Sequence, residues 1–226
     1  MRYGTKEHAA AAVGALEKLY PAAECALKYE GESWRLLVMA RLSAQCTDKR
    51  VNEVSEILFE KYPSPEKLAD ADISDIEKIV RPCGLYHVKA KDIKEECLLL
   101  VTKYGGTLPS DIDELLTFPG VGRKIANLIV GDIFGAPAIV CDTHCIRISE
   151  RLGLVPKGEK NPQKIEKILA KRVEPDKQSD FCHRLVMFGR EYCPARGQVC
   201  ENCPLAAICR FGRSEKQADK KKLTES

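Results

Sequence analysis

Apolar residues recur at intervals of three and four along almost the whole chain, the spacing that gathers them on one face of a helix. No convincing run alternates apolar with polar residues, as a half-buried strand would. The pattern predicts helices near residues 5–20, 33–44, 48–62, 74–81, 86–104, 111–116, 122–133, 142–153, 161–172 and 179–192. The breaks between them are well marked. Pro63 and Pro65 bracket Ser64 and predict a stop, and Gly105-Gly106 ends a later helix. Asp111 and Asp142 stand where N-caps stand, and Thr47 with Asp48 can cap the helix beginning near 48. Connections are short, as in a compact all-α protein. No repeat or low-complexity linker divides the chain, so the pattern alone shows no domain boundary.

Composition narrows the setting without naming a function. At 226 residues the chain can bury a good core as one or two domains, and at 44% apolar and 31% charged it is ordinary for a soluble protein. No apolar run approaches the ~20 residues of a membrane helix, and the first twenty residues read as an amphipathic helix, not a signal peptide. Eleven cysteines in such a chain argue for a reducing, intracellular compartment and for metal ligation over disulfides. A net charge of +3 does not by itself imply nucleic acid. The end of the chain, RFGRSEKQADKKKLTES, is basic but mixed and reads as a solvated tail.

Chemistry enters with Cys193, Cys200, Cys203 and Cys209, spaced C-x6-C-x2-C-x5-C. Four soft thiolates within seventeen residues can enclose one metal centre. Structural zinc sites bring two close pairs separated by a longer stretch, and bacterial ferredoxins use a tighter run. One tight pair between wider arms instead suits a cube-shaped cluster held by a winding loop. Zinc, or four unrelated buried cysteines, remain the alternatives.

A second signal runs from Leu116 to Ala126, where a helix leads into Pro119-Gly120-Val121-Gly122 and another helix follows. Gly120 and Gly122 allow positive φ and close backbone approach. Amides of the turn and of the next helix then form a phosphate seat that reads no base sequence. Gly120-x-Gly122 with Asp142 twenty residues on also imitates a dinucleotide fingerprint. That reading fails, because Ile125 stands where a third glycine belongs, Pro119 interrupts the turn, and the preceding DIDELLTF reads as helix. A hairpin that binds nothing shares the local pattern. Taken singly, Lys124 reads as a solvated charge and Asp142 as a cap. Asp142 and His144 between Cys141 and Cys145 form no tight ligand pair, so a cap beside buried thiols is the better reading there.

The third signal is Leu42-Ser43-Ala44-Gln45-Cys46-Thr47-Asp48, in which Gln45 offers donors and acceptors at a helix junction. Gly84-Leu85-Tyr86 marks a further loop, with Leu85 readable as a core residue.

In this order the motifs resemble those of the endonuclease III family of DNA glycosylases over roughly residues 10–210: LSAQxTD, the LPGVGxKTA hairpin with Phe118 and Ile125 as departures, VDTH, and the cysteine loop. The resemblance implies an all-α fold of two helical domains with a DNA-binding cleft between them. Residues 25–135 would form a helical barrel with the helix–hairpin–helix, residues 1–24 plus 136–213 a cluster domain, and 214–226 a basic tail. It implies a 4Fe–4S cluster on the four cysteines, Lys124 as catalytic lysine and Asp142 as catalytic aspartate. Gln45 would fill the duplex where the damaged nucleotide has left, and Leu85 would wedge between bases. Gly120, Val121 and Gly122 would hold the DNA backbone. Arg196 would contribute from the cluster loop, where it is the one basic residue between Cys193 and Cys200 and the family often carries several. The implied activity is excision of oxidised or damaged pyrimidines with cleavage 3′ to the abasic site, by a monomer acting on duplex DNA. The adenine-mismatch branch lacks the lysine, and a non-catalytic iron–sulfur protein leaves Lys124 with Asp142 unexplained.

Overall fold

The computed structural model describes residues 2–198 and 200–212, so the tail at 214–226 lies outside the described residues. Helices follow in the order α1 (Lys6–Leu19), α2 (Ser33–Leu42), α3 (Asp48–Lys61), α4 (Pro65–Asp70), α5 (Ile73–Val80), α6 (Tyr86–Tyr104), α7 (Ile112–Leu115), α8 (Arg123–Phe134), α9 (Thr143–Leu152), α10 (Pro162–Ala170) and α11 (Gln178–Glu191). Single 3-10 turns occupy Arg81–Cys83 and Pro175–Lys177. Among the described residues there is no strand, in keeping with the missing alternation.

The caps read from sequence form. Thr47 Oγ1 accepts from the Arg50 amide at 3.3 Å, Asp111 Oδ1 from Asp113 and Glu114 at 2.8 and 3.1 Å, and Asp142 Oδ1 from Cys145 at 2.7 Å. Each satisfies amides that a helix leaves open, typically worth about 1 kcal/mol. Pro63-Ser64-Pro65 is more than a stop. Ser64 caps α4, its Oγ accepting from the Lys67 amide at 3.4 Å, and Pro65 takes the first helical position, where a missing N–H costs nothing. The predicted helix 33–44 ends at Leu42, and the chain turns through Ser43–Cys46.

The chain forms two compact units, Cys25–Phe134 and Met1–Glu24 with Gly135–Ser226. In the first, α2 is apolar nearly all round, with Leu36, Leu37, Val38, Met39, Ala40 and Leu42 buried. A helix of that kind must be central, and α3, α6 and α8 pack around it while α4 and α5 pack on α6. In the second unit α11 is the hub, packed by α1 and α9, with Leu16, Ile148, Phe181, Leu185 and Phe188 buried. The N-terminal helix is tied in by buried His8, whose Nε2 lies 2.8 Å from the Ile208 carbonyl, and by the Lys177–Glu17 pair at 2.9 Å.

Candidate active site

The hairpin follows α7. The Val121 amide donates to the Phe118 carbonyl at 3.1 Å, closing a four-residue turn with Pro119 and Gly120 at its centre. Gly120 has φ +70°, as position three of a type II turn demands. Gly122 does not have positive φ, so of the two glycines only Gly120 uses the left-handed freedom, and the two serve different ends. A β-carbon on Gly120 would stand 2.3 Å from Arg41 Nε and 2.7 Å from Asp92 Oδ2, whereas one on Gly122 would meet nothing within 4 Å. Gly120 lets the turn close onto its own unit. Gly122 leaves the outer side open just before α8, while its carbonyl accepts from the Ile125 and Ala126 amides at 2.9 and 3.0 Å and starts the helix. Val121 shapes the turn: its side chain is buried and its amide is committed to Phe118. Phe118 stacks on Tyr104 with ring centroids 5.3 Å apart. Lys124, second residue of α8, is exposed.

Gln45 and Leu85 belong to the same unit as the hairpin. Among the described residues, only Glu30, Gln45 and Leu85 take positive φ without being glycine, with Gln45 at 54° and Leu85 at 48°. For residues with a β-carbon this conformation costs of order 1–3 kcal/mol and persists only where the surroundings impose it. Both side chains are exposed, and Leu85 at 56% is no core residue, which overturns that local reading. Behind the two loops lies Lys89, fully buried, which sequence reasoning passed over. A lysine on an amphipathic helix reads as solvent-facing, and nothing in its neighbours signals otherwise.

In the other unit Asp142 precedes α9. Besides capping, its Oδ2 lies 3.1 Å from His144 Nδ1, which fixes the carboxylate from two sides. The nearby thiols are structural. Cys145 is buried, and hydrogen bonding to Cys141 and Cys182, then burial, hold its pKa well above the usual thiol range.

The cysteine loop leaves α11 through Cys193, whose amide donates to the Phe188 carbonyl at 3.0 Å. All eleven cysteines are free. Cys193, Cys200, Cys203 and Cys209 line one pocket, walled by apolar groups including Ile148, Leu152 and Leu205. Arg151 organises its rim. Nη1 donates to Cys193 Sγ at 3.2 Å and to the Pro194 carbonyl at 2.7 Å, Nη2 donates to the Ala195 carbonyl at 3.0 Å, and the Arg151 carbonyl accepts from Cys209 Sγ at 3.3 Å. A single zinc, ~2.3 Å from each thiolate, would draw the sulfurs to roughly 3.8 Å apart. Among the described residues no three of these sulfurs come within 4.8 Å of one another. The wider spacing in an apolar pocket fits a polynuclear cluster better than one ion. Burial raises the pKa of the Cys203 and Cys209 thiols, so a metal centre would have to displace their protons. Arg196 is exposed on this loop.

Residues 38–175 match the family model of the HhH-GPD superfamily base excision DNA repair proteins, a span holding Gln45, Leu85, the hairpin, Lys124 and Asp142. The chain is 41% identical over 207 residues to endonuclease III of Bacillus subtilis (strain 168), covering 92% of each protein. The solved structure of a non-covalent endonuclease III–DNA complex superposes with a TM-score of 0.88 at 39% identity, over 94% of this chain and 99% of that one. A trapped endonuclease III–DNA covalent intermediate gives 0.87 at 40% identity, with the same coverage. The chain belongs to the HhH-GPD superfamily of base excision DNA repair proteins and, within it, to the endonuclease III family.

Proposed function

We propose that this protein is a base excision repair DNA glycosylase and AP lyase, acting inside the cell on duplex DNA that carries oxidised or damaged pyrimidines or abasic sites. The observation that carries the reading is the exposed amine of Lys124 in the first turn of α8, directly after the open backbone at Gly122. A lyase needs an amine, because only a nitrogen nucleophile leaves an imine that activates the adjacent C2′ proton. The hairpin supplies the anchoring. Phosphate seated on the turn and the α8 amides holds the strand without reading its sequence. The damaged nucleotide must leave the stack before its C1′ can be reached. Gln45 fills the vacated space and Leu85 wedges the neighbouring step, both already exposed on fixed loops.

In the reaction the neutral Lys124 amine bonds to C1′ as the glycosidic C–N bond breaks and the base departs with a proton. Asp142 stabilises the positive charge that develops on the sugar, or relays protons. Ring opening gives the imine. Loss of a C2′ proton then expels the 3′ phosphate and cuts the strand, and hydrolysis of the imine frees the lysine. Cys193, Cys200, Cys203 and Cys209 hold a 4Fe–4S cluster. When bound it supplies cross-linking, folding the loop that carries Arg196 into a rigid DNA-facing surface.

Borohydride reduction tests the reading. Incubated with abasic duplex and borohydride, the protein should become covalently attached to the DNA in one-to-one complexes. Strand cleavage without any trapping would point to a different chemistry.

A further inference from the structure

Lys89 has no exposure at all. An ammonium group taken from water is strongly disfavoured unless its protons find acceptors. Nζ of Lys89 finds two, the Leu42 and Cys83 carbonyls, both at 2.8 Å. Their positions give the contact its meaning. Leu42 is the last residue of α2, three before Gln45, and Cys83 closes the 3-10 turn two before Leu85. Both carbonyls lie at helix C-terminal ends, where the backbone dipoles point negative charge at the cation. The Lys89 backbone amide adds a third bond, donating to the Leu85 carbonyl at 3.0 Å. One residue therefore ties together the bases of the two loops whose tips are left-handed at Gln45 and Leu85.

A leucine would fill the same volume without desolvating a charge, but it could not link two carbonyls from loops some forty residues apart in sequence. We propose that Lys89 is the positioning residue for DNA opening: its buried ammonium clasps the Gln45 and Leu85 loops so that filler and wedge enter the duplex as one rigid pair. The inference rests on the reading of Gln45 and Leu85 as the residues that enter the duplex. Lys89 itself touches no DNA, and its part is confined to opening a base pair.

The test compares the unsubstituted protein, Lys89→Met, the Gln45→Ala/Leu85→Ala double variant and the triple variant on two substrates. One is duplex DNA with an oxidised pyrimidine, read by single-turnover excision. The other is single-stranded abasic DNA, read by borohydride trapping, which requires no base pair to open. Lys89→Met should slow duplex excision by ~10-fold or more, the scale of one misplaced interaction of about 1.4 kcal/mol, while trapping on single strands stays close to that of the unsubstituted protein. In the Gln45→Ala/Leu85→Ala background the same change should add little, since there is nothing left to position. Equal losses on both substrates, or the full loss again in that background, would make Lys89 merely structural and overturn the inference. If circular dichroism shows Lys89→Met unfolded, Lys89→Arg, which keeps the cation but shifts its donors, takes its place with the same expected pattern. An unsubstituted protein inert on both substrates would instead bring down the functional reading itself.

Discussion

Gly120 lies against Arg41 so closely that a β-carbon would stand 2.3 Å from the guanidinium Nε, in the middle of the Arg41–Asp92 ion pair at 2.6 Å. The two glycines of the hairpin should therefore fail in different ways. Gly120→Ala combines a left-handed φ with a clash against a mostly buried pair, and should cost about 2–4 kcal/mol of stability. At ~2–4 °C per kcal/mol for a chain of this size, the thermal midpoint should drop by roughly 5–15 °C.

Gly122→Asp meets open space at ordinary φ, so the fold should survive. Its carboxylate would repel phosphate from the seat. Affinity for an abasic-site duplex, measured by fluorescence anisotropy, should fall well below that of the unsubstituted protein and should keep falling as salt rises. A folded Gly122→Asp protein that binds as before would remove the hairpin from the DNA interface.

Glu96 on α6 is fully buried, and the described residues offer neither carboxylate oxygen a hydrogen-bond partner. Burial, with a smaller contribution from the Asp92 charge, raises its pKa well above 4.5, against the opposing pull of Arg41. Above the unfolded value near 4.5 the folded state binds more protons than the unfolded one. Stability must then decline as pH rises from there towards the raised folded pKa. Glu96→Met removes that decline, so its advantage in thermal midpoint should widen between pH 5 and pH 8. A constant gap across that range would mean Glu96 is not held protonated.

Asp142→Asn keeps an oxygen to cap α9 and removes the charge. Base release in single turnover should slow by ~10²-fold or more, the scale of one well-placed electrostatic or acid–base group, with little change in thermal midpoint. Retention of the normal rate would reduce Asp142 to a helix cap.

The purified protein should be yellow-brown, with iron and sulfide each at about four per chain. Cys200→Ser and Cys203→Ser should lower soluble yield, because filling of the pocket is coupled to folding of the loop. One zinc per chain with no iron after anaerobic purification would contradict the cluster.

What could be read from the chain beforehand divides along the range of the interactions involved. Thr47, Asp111 and Asp142 were legible because a cap bonds an amide two or three residues away. Ser64-Pro65 was half legible, since proline both ends one helix and suits the start of the next, and nothing local chooses between the two. The necessity of Gly120 depends on Arg41 and Asp92, far away in sequence, so the motif could be seen but not its reason. Lys89 and Glu96 were invisible. Both sit on the charge-rich α6, where periodicity assigns charged residues to solvent, and tertiary packing decided otherwise. Leu85 is the converse case, an apolar residue left exposed on a left-handed turn.

Lys124→Gln gives the most direct measurement of the central claim. The substitution keeps a polar, exposed side chain on α8 and removes the amine. The variant should fold and bind abasic duplex like the unsubstituted protein, yet form no borohydride-trapped complex and leave the strand uncut. Trapping and cleavage at the normal rate would show that another amine is the nucleophile and contradict the mechanism. Loss of cleavage with full base excision would confine Lys124 to the lyase step and leave water to displace the base.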